Sequence, residues 1–467
     1  MNCPLVFFLV LEKRPLLALP PQIAKMKIHS YLKVALALLI PATASAQKIN
    51  YTEFDLKNGL HVILHEDHST PIVAVTVMYH VGSKNETTGR SGMAHFFEHL
   101  LFEGSDNIGR GEYARYVESA GGALNANTTQ DRTFYYDLLP SNQLELGLWL
   151  ESERMMHAKV EIAGIETQRE VVKEEKRLRI DNQPYGTLFQ ETLDHAYNVH
   201  PYSWAPIGSM EDLNAAQEAD FQAFYKMYYV PNNAVLSIAG DITIQEAKAL
   251  VKKYFDEIPR GNGPILRPTA VEPVNQGEVR DSIKVKDQLP LVVQAYHIPA
   301  QGTKDFYAID MLNKLLADGS SSRLNRAIVE EKELALFSSA FTYETEDPGL
   351  TMAFSLANMG VDAAQVEAAM NEEFERVKNE LVSEKEFQKL RNQIENDFIT
   401  RNQSVAGIAE SLANYHMYLG DASLINTEIE KYLAVTREDL MNAAKKYYTK
   451  ENRVVLYFVH DPSLLKE

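Results

Sequence analysis

The chain has 467 residues, 45% of them hydrophobic and 24% charged, and this globular composition excludes a disordered or fibrous protein. Its 64 acidic and 46 basic residues give a net charge of -18, and an acidic surface repels phosphate, so a nucleic-acid binder is disfavoured. The single cysteine, Cys3, excludes an internal disulfide bond and any metal site built from several cysteines.

Residues 1–46 are predicted to be a leader that contains a signal peptide. After Met26, a lysine, a short apolar run over 34–40 and small residues before Gln47 follow the order of a secretory signal. The run is too short to span a bilayer, and no later segment approaches transmembrane length. We therefore expect an exported protein, periplasmic or secreted, without stable membrane insertion. The alternative interpretation of this segment is an amphipathic membrane anchor. Two start codons are compatible with the sequence, Met1 and Met26.

The chain after the leader contains one pattern twice. β-Branched runs over 71–80 and 290–297 predict buried strands. Each run is followed by a Tyr-Tyr pair, a turn and a further strand, and the pairs begin at Tyr228 and Tyr447. Both separations, 71 to 228 and 290 to 447, are 157 residues, and this equality indicates a duplicated domain.

Within each half, early strands precede long helical patterns and a final strand. This order predicts an α+β fold of two homologous domains, each a β-sheet with helices packed on one face. We place an N-terminal domain at 47–260, a Pro/Gly-rich linker at 261–279 and a C-terminal domain at 280–467. A tandem pair of α/β domains is the alternative.

The segment 91–104 is predicted to be a buried helix that begins at the N-cap Ser91, because apolar residues occupy every side of it. Within it, His95 and His99 lie four residues apart on one face, so both imidazoles can reach one ion. Glu98 projects beside them, where it can accept a proton from water at the metal. The order His-x-x-Glu-His is the inverzincin signature. The alternative is a pair of histidines hydrogen-bonded within a core.

A zinc site needs a further ligand, and an acidic helix predicted over 165–180 offers several glutamates. Glu170 lies on a solvated face and Glu174 at its boundary, whereas Glu175 lies closest to the centre of the apolar stripe. Glu175 is therefore the best third ligand. A buried pair between Glu175 and an arginine of the same helix explains the helix pattern equally well.

The motif His95-Phe-Phe-Glu98-His99, with Glu175 following 76 residues after His99, resembles the pitrilysin family of zinc proteases. That family includes insulin-degrading enzyme and the mitochondrial processing peptidases, and the resemblance extends over 47–467. It implies that His95, His99 and Glu175 bind one Zn2+ per chain and that Glu98 is the general base of peptide-bond hydrolysis. It also implies that two such chains, or one of double length, close around a chamber.

Residues 121–128 resemble the family's edge strand near the metal, where a peptide substrate adds as an extra strand through main-chain hydrogen bonds. The resemblance implies that Asn125 and Ala126 bind the substrate, and a plain hairpin edge is the alternative. His200 also recurs in relatives, and we expect it to have a structural role.

The chain departs from the family pattern in two places. Gln168 stands where relatives often carry a second glutamate. Val329 and Leu336 align with an Arg and a Tyr that bind substrate and stabilise the oxyanion in active relatives, and neither side chain donates a hydrogen bond. We therefore expect a homologous partner subunit to supply the Arg/Tyr pair in a heterodimer.

These features together predict a zinc metalloendopeptidase that hydrolyses short or unfolded polypeptides as the catalytic subunit of a heterodimer. The alternative is a non-proteolytic scaffold subunit of the same family, which would have no need to keep all four residues of the site. A metal carrier is disfavoured because the chain has no His-rich tract.

Overall fold

The computed structural model of the protein describes residues 48–274 and 277–466. The predicted leader therefore lies outside the described residues. Within the described ranges, no helix has both the length and the apolar character that a membrane span requires.

The N-terminal half builds a six-stranded sheet. Its strands are β1 (Thr52–Asp55), β2 (His61–Glu66), β3 (Ile72–Tyr79), β4 (Ala123–Thr128), β5 (Thr133–Pro140) and β6 (Ala234–Gly240). Their order across the sheet is β1-β2-β6-β3-β5-β4, with β2 parallel to β6 and the other neighbours antiparallel. The β-branched run predicted at 71–80 forms β3, which is central and buried on both faces.

The C-terminal half builds a second sheet with the same topology. Its strands are β7 (Val279–Val285), β8 (Leu291–His297), β9 (Ala335–Tyr343), β10 (Leu350–Ala357) and β11 (Arg453–His460). The order β7-β11-β8-β10-β9 repeats β2-β6-β3-β5-β4, and the parallel pair recurs between β7 and β11. The predicted duplication is therefore confirmed at the level of strand order and direction.

Helices alternate with groups of strands along the chain in both halves. Those of the N-terminal half are α1 (Met93–Leu100), α2 (Glu112–Ser119), α3 (Leu144–Met156), α4 (Ile162–Lys176), α5 (Leu188–Ala196), α6 (Met210–Ala215), α7 (Glu218–Tyr228) and α8 (Ile244–Phe255). Those of the C-terminal half are α9 (Lys304–Ala317), α10 (Ala363–Asn379), α11 (Glu384–Arg401), α12 (Val405–Leu419), α13 (Glu428–Leu433) and α14 (Arg437–Tyr447). The acidic helix predicted over 165–180 is α4 followed by a π-helical turn, Arg177–Asp181.

Each sheet packs helices of its own half against one face, as the predicted fold class requires. In the N-terminal half, Val75 of the sheet belongs to the same apolar core as Phe97 of α1 and Leu148 of α3. In the C-terminal half, Tyr296 of the sheet shares a core with Leu312 of α9. The α+β architecture of two homologous domains is confirmed.

The opposite face of each sheet is covered by a helix from the other half, which the sequence did not predict. Leu412 of α12 packs in a core with Ala74 and Met78 of the N-terminal sheet. Leu193 of α5 packs in a core with Val293 of the C-terminal sheet. Leu193 and Leu412 are separated by 219 residues, the same interval that separates the first residues of β3 and β8. The duplicated halves thus exchange equivalent helices, which joins them into one body.

Candidate metal centre

Helix α1 begins at Met93, with Gly92 rather than the predicted Ser91 in the N-cap position. Ser91 is not its N-cap: the hydroxyl oxygen of Ser91 accepts from the amide of Ser209 at 3.1 Å, and its amide and hydroxyl donate to Asp212, at 3.0 and 2.5 Å. Gly92 precedes the helix at φ +89°, a left-handed conformation that favours glycine. The helix ends at Leu100 rather than at Gly104.

A buried carboxylate caps this helix in place of Ser91. Glu86 accepts hydrogen bonds from the amides of Gly92 and Ala94, at 2.9 and 2.8 Å, and from the Trp204 indole at 2.9 Å. Burial raises the pKa of Glu86 to about 8, although the three donors oppose this shift. Sequence reasoning missed Glu86 because it lies six residues before Gly92, outside the spacing of a capping box.

Two histidines project from α1 towards α4. The rings of His95 and His99 have centroids 4.9 Å apart and an interplanar angle of 73°. Phe96, Phe97 and Leu100 of the same helix are buried in the core, so the histidines occupy the side of the helix that the core leaves free. This placement agrees with the predicted shared face.

Glu175, in the last turn of α4, lies against both histidines. Its Oε2 is 3.0 Å from Nε2 of His99 and 3.7 Å from Nε2 of His95. Glu170 and Glu174 are exposed, with 65% and 56% of their side chains accessible. Of the three glutamates considered from the sequence, Glu175 is therefore the one that the fold brings to the histidine pair.

These side chains fit a bound cation. One ligand atom from each of His95, His99 and Glu175 lies within 4.8 Å of the other two. Nδ1 of His95 and Oε2 of Glu175 are buried without a hydrogen-bond partner. Unpaired buried polar atoms are costly, and an ion between the three side chains would satisfy Oε2.

The charge states of the cluster are also those of metal ligands. Burial, assisted by the neighbouring His99, lowers the pKa of His95 to about 4, so its imidazole is neutral. The contact with His99 lowers the pKa of Glu175, so its carboxyl is ionised. Neutral imidazole and carboxylate are the forms that bind metals.

The alternative partner of Glu175 is present as well. Nη1 of Arg179 lies 2.8 Å from Oε1 of Glu175. This ion pair uses the carboxylate oxygen that faces away from the histidines, and the Arg179 side chain is 76% exposed. The two interpretations of the helix are therefore compatible, since each employs a different oxygen.

Glu98 lies beside the cluster and is held by the edge strand. The hydroxyl of Thr128, the last residue of β4, donates a 2.7 Å hydrogen bond to Oε2 of Glu98. Burial raises the pKa of Glu98, and the Thr128 hydrogen bond opposes that shift. A carboxylate held beside a cation site is placed to act as a general base.

Asn125 and Ala126 lie on β4, at one edge of the N-terminal sheet, where they pair with Tyr136 and Tyr135 of β5. The amide of Ala126 donates to Oδ1 of Asn125 at 2.9 Å. The strand contacts α1 through the Thr128–Glu98 hydrogen bond, so this edge runs beside the cluster.

The remaining residues considered from the sequence lie outside the ligand cluster. His200 is buried; its Nδ1 accepts from the amide of Tyr202 and its Nε2 lies 3.4 Å from Asp347. The side-chain amide of Gln168 donates a hydrogen bond to the carboxylate of Glu103.

Val329 and Leu336 also lie outside the ligand cluster. Val329 lies in a π-helical turn, Asn325–Glu331, and Leu336 lies on β9 with half of its surface exposed.

Comparison with known proteins identifies the family. The model described as "Insulinase (Peptidase family M16)" matches residues 61–205, and that of the "Peptidase M16 inactive domain" matches 215–394. The "Zinc protease PqqE" of Helicobacter pylori is 32% identical over 429 residues, covering 90% of this chain and 96% of that protein. The chain belongs to the M16 peptidase family. The pitrilysin-like resemblance of its motifs is thereby confirmed.

Solved structures of two proteases have the same fold. A protease from Helicobacter pylori superposes with a TM-score of 0.85 at 30% identity, covering 89% of this chain and all of that one. The periplasmic protease PqqL from Escherichia coli gives a TM-score of 0.71 at 18% identity. The superposition covers 90% of this M16 chain but only 48% of PqqL. PqqL is therefore about twice as long as this chain.

Proposed function

We propose that this M16 chain is a zinc metalloendopeptidase that hydrolyses peptide bonds of short or unfolded polypeptides. The observation that carries the proposal is the convergence of His95, His99 and Glu175, with Glu98 beside them on the same helix as the histidines. Membership of a family whose relatives are named zinc proteases supports it.

In this proposal His95, His99 and Glu175 hold one zinc ion. When bound, zinc supplies Lewis-acid chemistry: it polarises a carbonyl group and acidifies water. Glu98 accepts the proton of the attacking water and returns a proton to the leaving amine, and Thr128 orients the Glu98 carboxylate for both transfers. The main chain at Asn125 and Ala126, on the edge strand, binds an extended peptide as an additional strand.

The test measures cleavage of a fluorogenic peptide and of unfolded casein by Glu98→Gln and by one matched pair of variants, Glu175→Gln and Glu174→Gln. Glu98→Gln is expected to keep zinc and to lose at least ~100-fold in kcat, since a general base contributes about 10²–10⁴-fold. Glu175→Gln is expected to lose zinc, whereas Glu174→Gln, one residue away and exposed, keeps both zinc and activity. Full cleavage by Glu98→Gln would contradict the proposal.

The scaffold alternative makes a different prediction in the same experiment. A scaffold subunit would bind zinc through His95, His99 and Glu175 but would cleave no peptide, even with a partner subunit present. Chelator-sensitive cleavage that is restored by Zn2+ would exclude it.

We further propose that the active form is a heterodimer with a homologous subunit that supplies an Arg/Tyr pair. Val329 and Leu336 support this, because neither side chain can hydrogen-bond a substrate carbonyl or an oxyanion. We expect the purified chain alone to cleave at least ~100-fold more slowly than the chain reconstituted with its partner. Equal activity of the single chain would overturn the heterodimer without affecting the zinc assignment.

Export is also part of the proposal. It rests on the signal-like order of residues 26–46 and the small residues before Gln47. We expect the protein recovered from the periplasm or the medium to begin at Gln47, which N-terminal sequencing measures. Recovery of the uncleaved chain in the cytoplasm would contradict export.

A further inference from the structure

A second group of metal-binding side chains lies away from the inverzincin helix. It consists of Glu53 on β1, His61 at the start of β2 and His416 in the last turn of α12. One carboxylate oxygen and one imidazole nitrogen from each histidine lie within 4.8 Å of one another. Two of these residues come from the N-terminal half and the third from the C-terminal half, so no sequence motif connects them.

The two clusters lie on opposite faces of the N-terminal sheet. Alternate residues of a strand face opposite sides. Val62 belongs to the core that contains α1, whereas Ile63, on the same side as His61, belongs to the core that contains α12. The second cluster therefore cannot share an ion with the first.

His61 is oriented by a neighbouring carboxylate. Its Nδ1 is 2.8 Å from Oδ1 of Asp55, the residue opposite it in the β1–β2 ladder. A proton shared with Asp55 on Nδ1 leaves the lone pair of a neutral ring on Nε2. The same carboxylate–histidine arrangement orients histidine ligands in many metal sites.

The second ring nitrogen of His61 faces another carboxylate. Nε2 of His61 is buried, has no hydrogen-bond partner and lies 3.5 Å from Oε2 of Glu53. That distance is too long for a hydrogen bond but close to the ~3.3 Å between two ligands of a tetrahedral ion with bonds of about 2.0–2.1 Å. A lone pair facing a carboxylate is unfavourable unless a cation lies between them.

His416 completes the cluster from the C-terminal half. Its ring stacks on that of His61, with centroids 3.4 Å apart and planes inclined by 7°. Because an imidazole binds an ion in the plane of its ring, the His416 ring must turn out of this stack on binding, while His61 keeps the orientation that Asp55 gives it.

We propose that Glu53, His61 and His416 bind a second divalent transition-metal ion, with Zn2+ as the ion that suits two imidazoles and one carboxylate. The ion ties the β1–β2 edge of the N-terminal sheet to a helix contributed by the C-terminal half. Its role is structural, because it strengthens the exchange of helices that joins the two halves. An ion that binds only the folded protein stabilises it by mass action.

The first experiment measures stoichiometry. Purified protein is stripped with a chelator and brought to equilibrium by dialysis against micromolar Zn2+, and bound metal is counted by mass spectrometry. We expect two ions per chain in the wild type and one in Glu53→Gln and in His416→Gln. Glu53 is exposed, so Glu53→Gln tests the site even where a change at His416 disturbs packing. His68→Ala, an exposed histidine that contacts Glu66 and Asp241, is the control and keeps two ions.

The second experiment separates this site from the proposed catalytic one. In a His95→Ala/His99→Ala background, one ion is expected to remain and Zn2+ is expected to raise the melting temperature by at least ~2 °C. Adding His416→Gln is expected to abolish both effects. Conversely, His416→Gln alone keeps peptide cleavage. Metal content that is the same in wild type, Glu53→Gln and His416→Gln, or no bound ion in the His95→Ala/His99→Ala background, would overturn the second site whatever the fate of the peptidase proposal.

Discussion

The hydroxyl of Thr128 lies 2.7 Å from Oε2 of Glu98, so the last residue of the edge strand orients the carboxylate beside the ligand cluster. This contact connects the strand proposed to bind the peptide with the group proposed to move the proton. It also opposes the effect of burial on the pKa of Glu98.

Replacement of Thr128 by valine removes the hydroxyl but keeps the shape of the side chain. A hydrogen bond to a charged group contributes ~1.5–3 kcal/mol, so kcat/KM is expected to fall by about ten- to a hundredfold. Thr128→Ser keeps the hydroxyl and is expected to stay close to wild type. Zinc content, measured in parallel, should be unchanged in both variants. Wild-type kcat/KM in Thr128→Val would show that the contact does not orient Glu98.

The exchanged helices make a prediction about cooperativity. Leu193 and Leu412 are fully buried against the sheet of the other half, and truncation to alanine is expected to cost ~2–5 kcal/mol at either position. Because each helix belongs to one half and covers the other, both variants should lower the midpoint of a single unfolding transition. Urea unfolding followed by circular dichroism and fluorescence measures this. Leu178→Ala, at an exposed position, is the control, and separate transitions for the two halves would contradict the prediction.

A buried lysine makes a second connection between the halves. Only 4% of the Lys84 side chain is exposed, and its Nζ lies 2.7 Å from Asp131, 3.3 Å from Asp347 and in contact with Glu346. Burial opposes the charge on Lys84, but Asp131 and Glu346 raise its pKa, so the ammonium persists.

Removing this ammonium leaves three carboxylates without their shared cation. Lys84→Met keeps the aliphatic stem and is expected to lower the free energy of unfolding by ~3–5 kcal/mol, the usual cost of breaking a buried ion pair. Denaturant unfolding at neutral pH measures the change, with Lys226→Met at an exposed position as the control. A decrease in the free energy of unfolding no larger than that of Lys226→Met would show that the charges of this cluster are solvated.

The same cluster predicts sensitivity to acid. Although burial opposes it, the hydrogen bond with His80 and the charge of Lys84 lower the pKa of Glu346 to about 2 from an ordinary 4.5. A folded-state pKa below the unfolded value means that the unfolded chain takes up protons first as the pH falls. The contribution of Glu346 is therefore complete above about pH 4.5 and is lost as the pH falls towards 2.

This acid sensitivity is measured by comparing free energies of unfolding at about pH 5 and about pH 3. The difference is expected to be smaller in Glu346→Gln than in the wild type, because glutamine does not titrate. Glu118→Gln, at an exposed position, should leave the difference unchanged. An identical pH dependence in wild type and Glu346→Gln would assign acid lability to other carboxylates.

The sequence by itself determined the features that arise from local periodicity. The β-branched runs gave the central strands β3 and β8, and the equal spacing of 157 residues gave the duplication. The four-residue interval between His95 and His99 gave their shared face, because helix geometry fixes that relationship without reference to the rest of the chain. The apolar pattern around Glu175 likewise placed it nearer the core than Glu170 or Glu174.

The tertiary structure decided the relationships between distant residues. Ser91 does not cap the helix because its side chain is bound to distant residues, accepting from the Ser209 amide and donating to Asp212, and Glu86 caps the helix instead. One carboxylate oxygen of Glu175 contacts Arg179 and the other contacts the histidines. A helix pattern alone could not show that both contacts form.

The helix exchange that unites the halves likewise depends on how the two sheets pack. The contact between His61 and His416 depends on it in the same way. These contacts span hundreds of residues, and no local period encodes them.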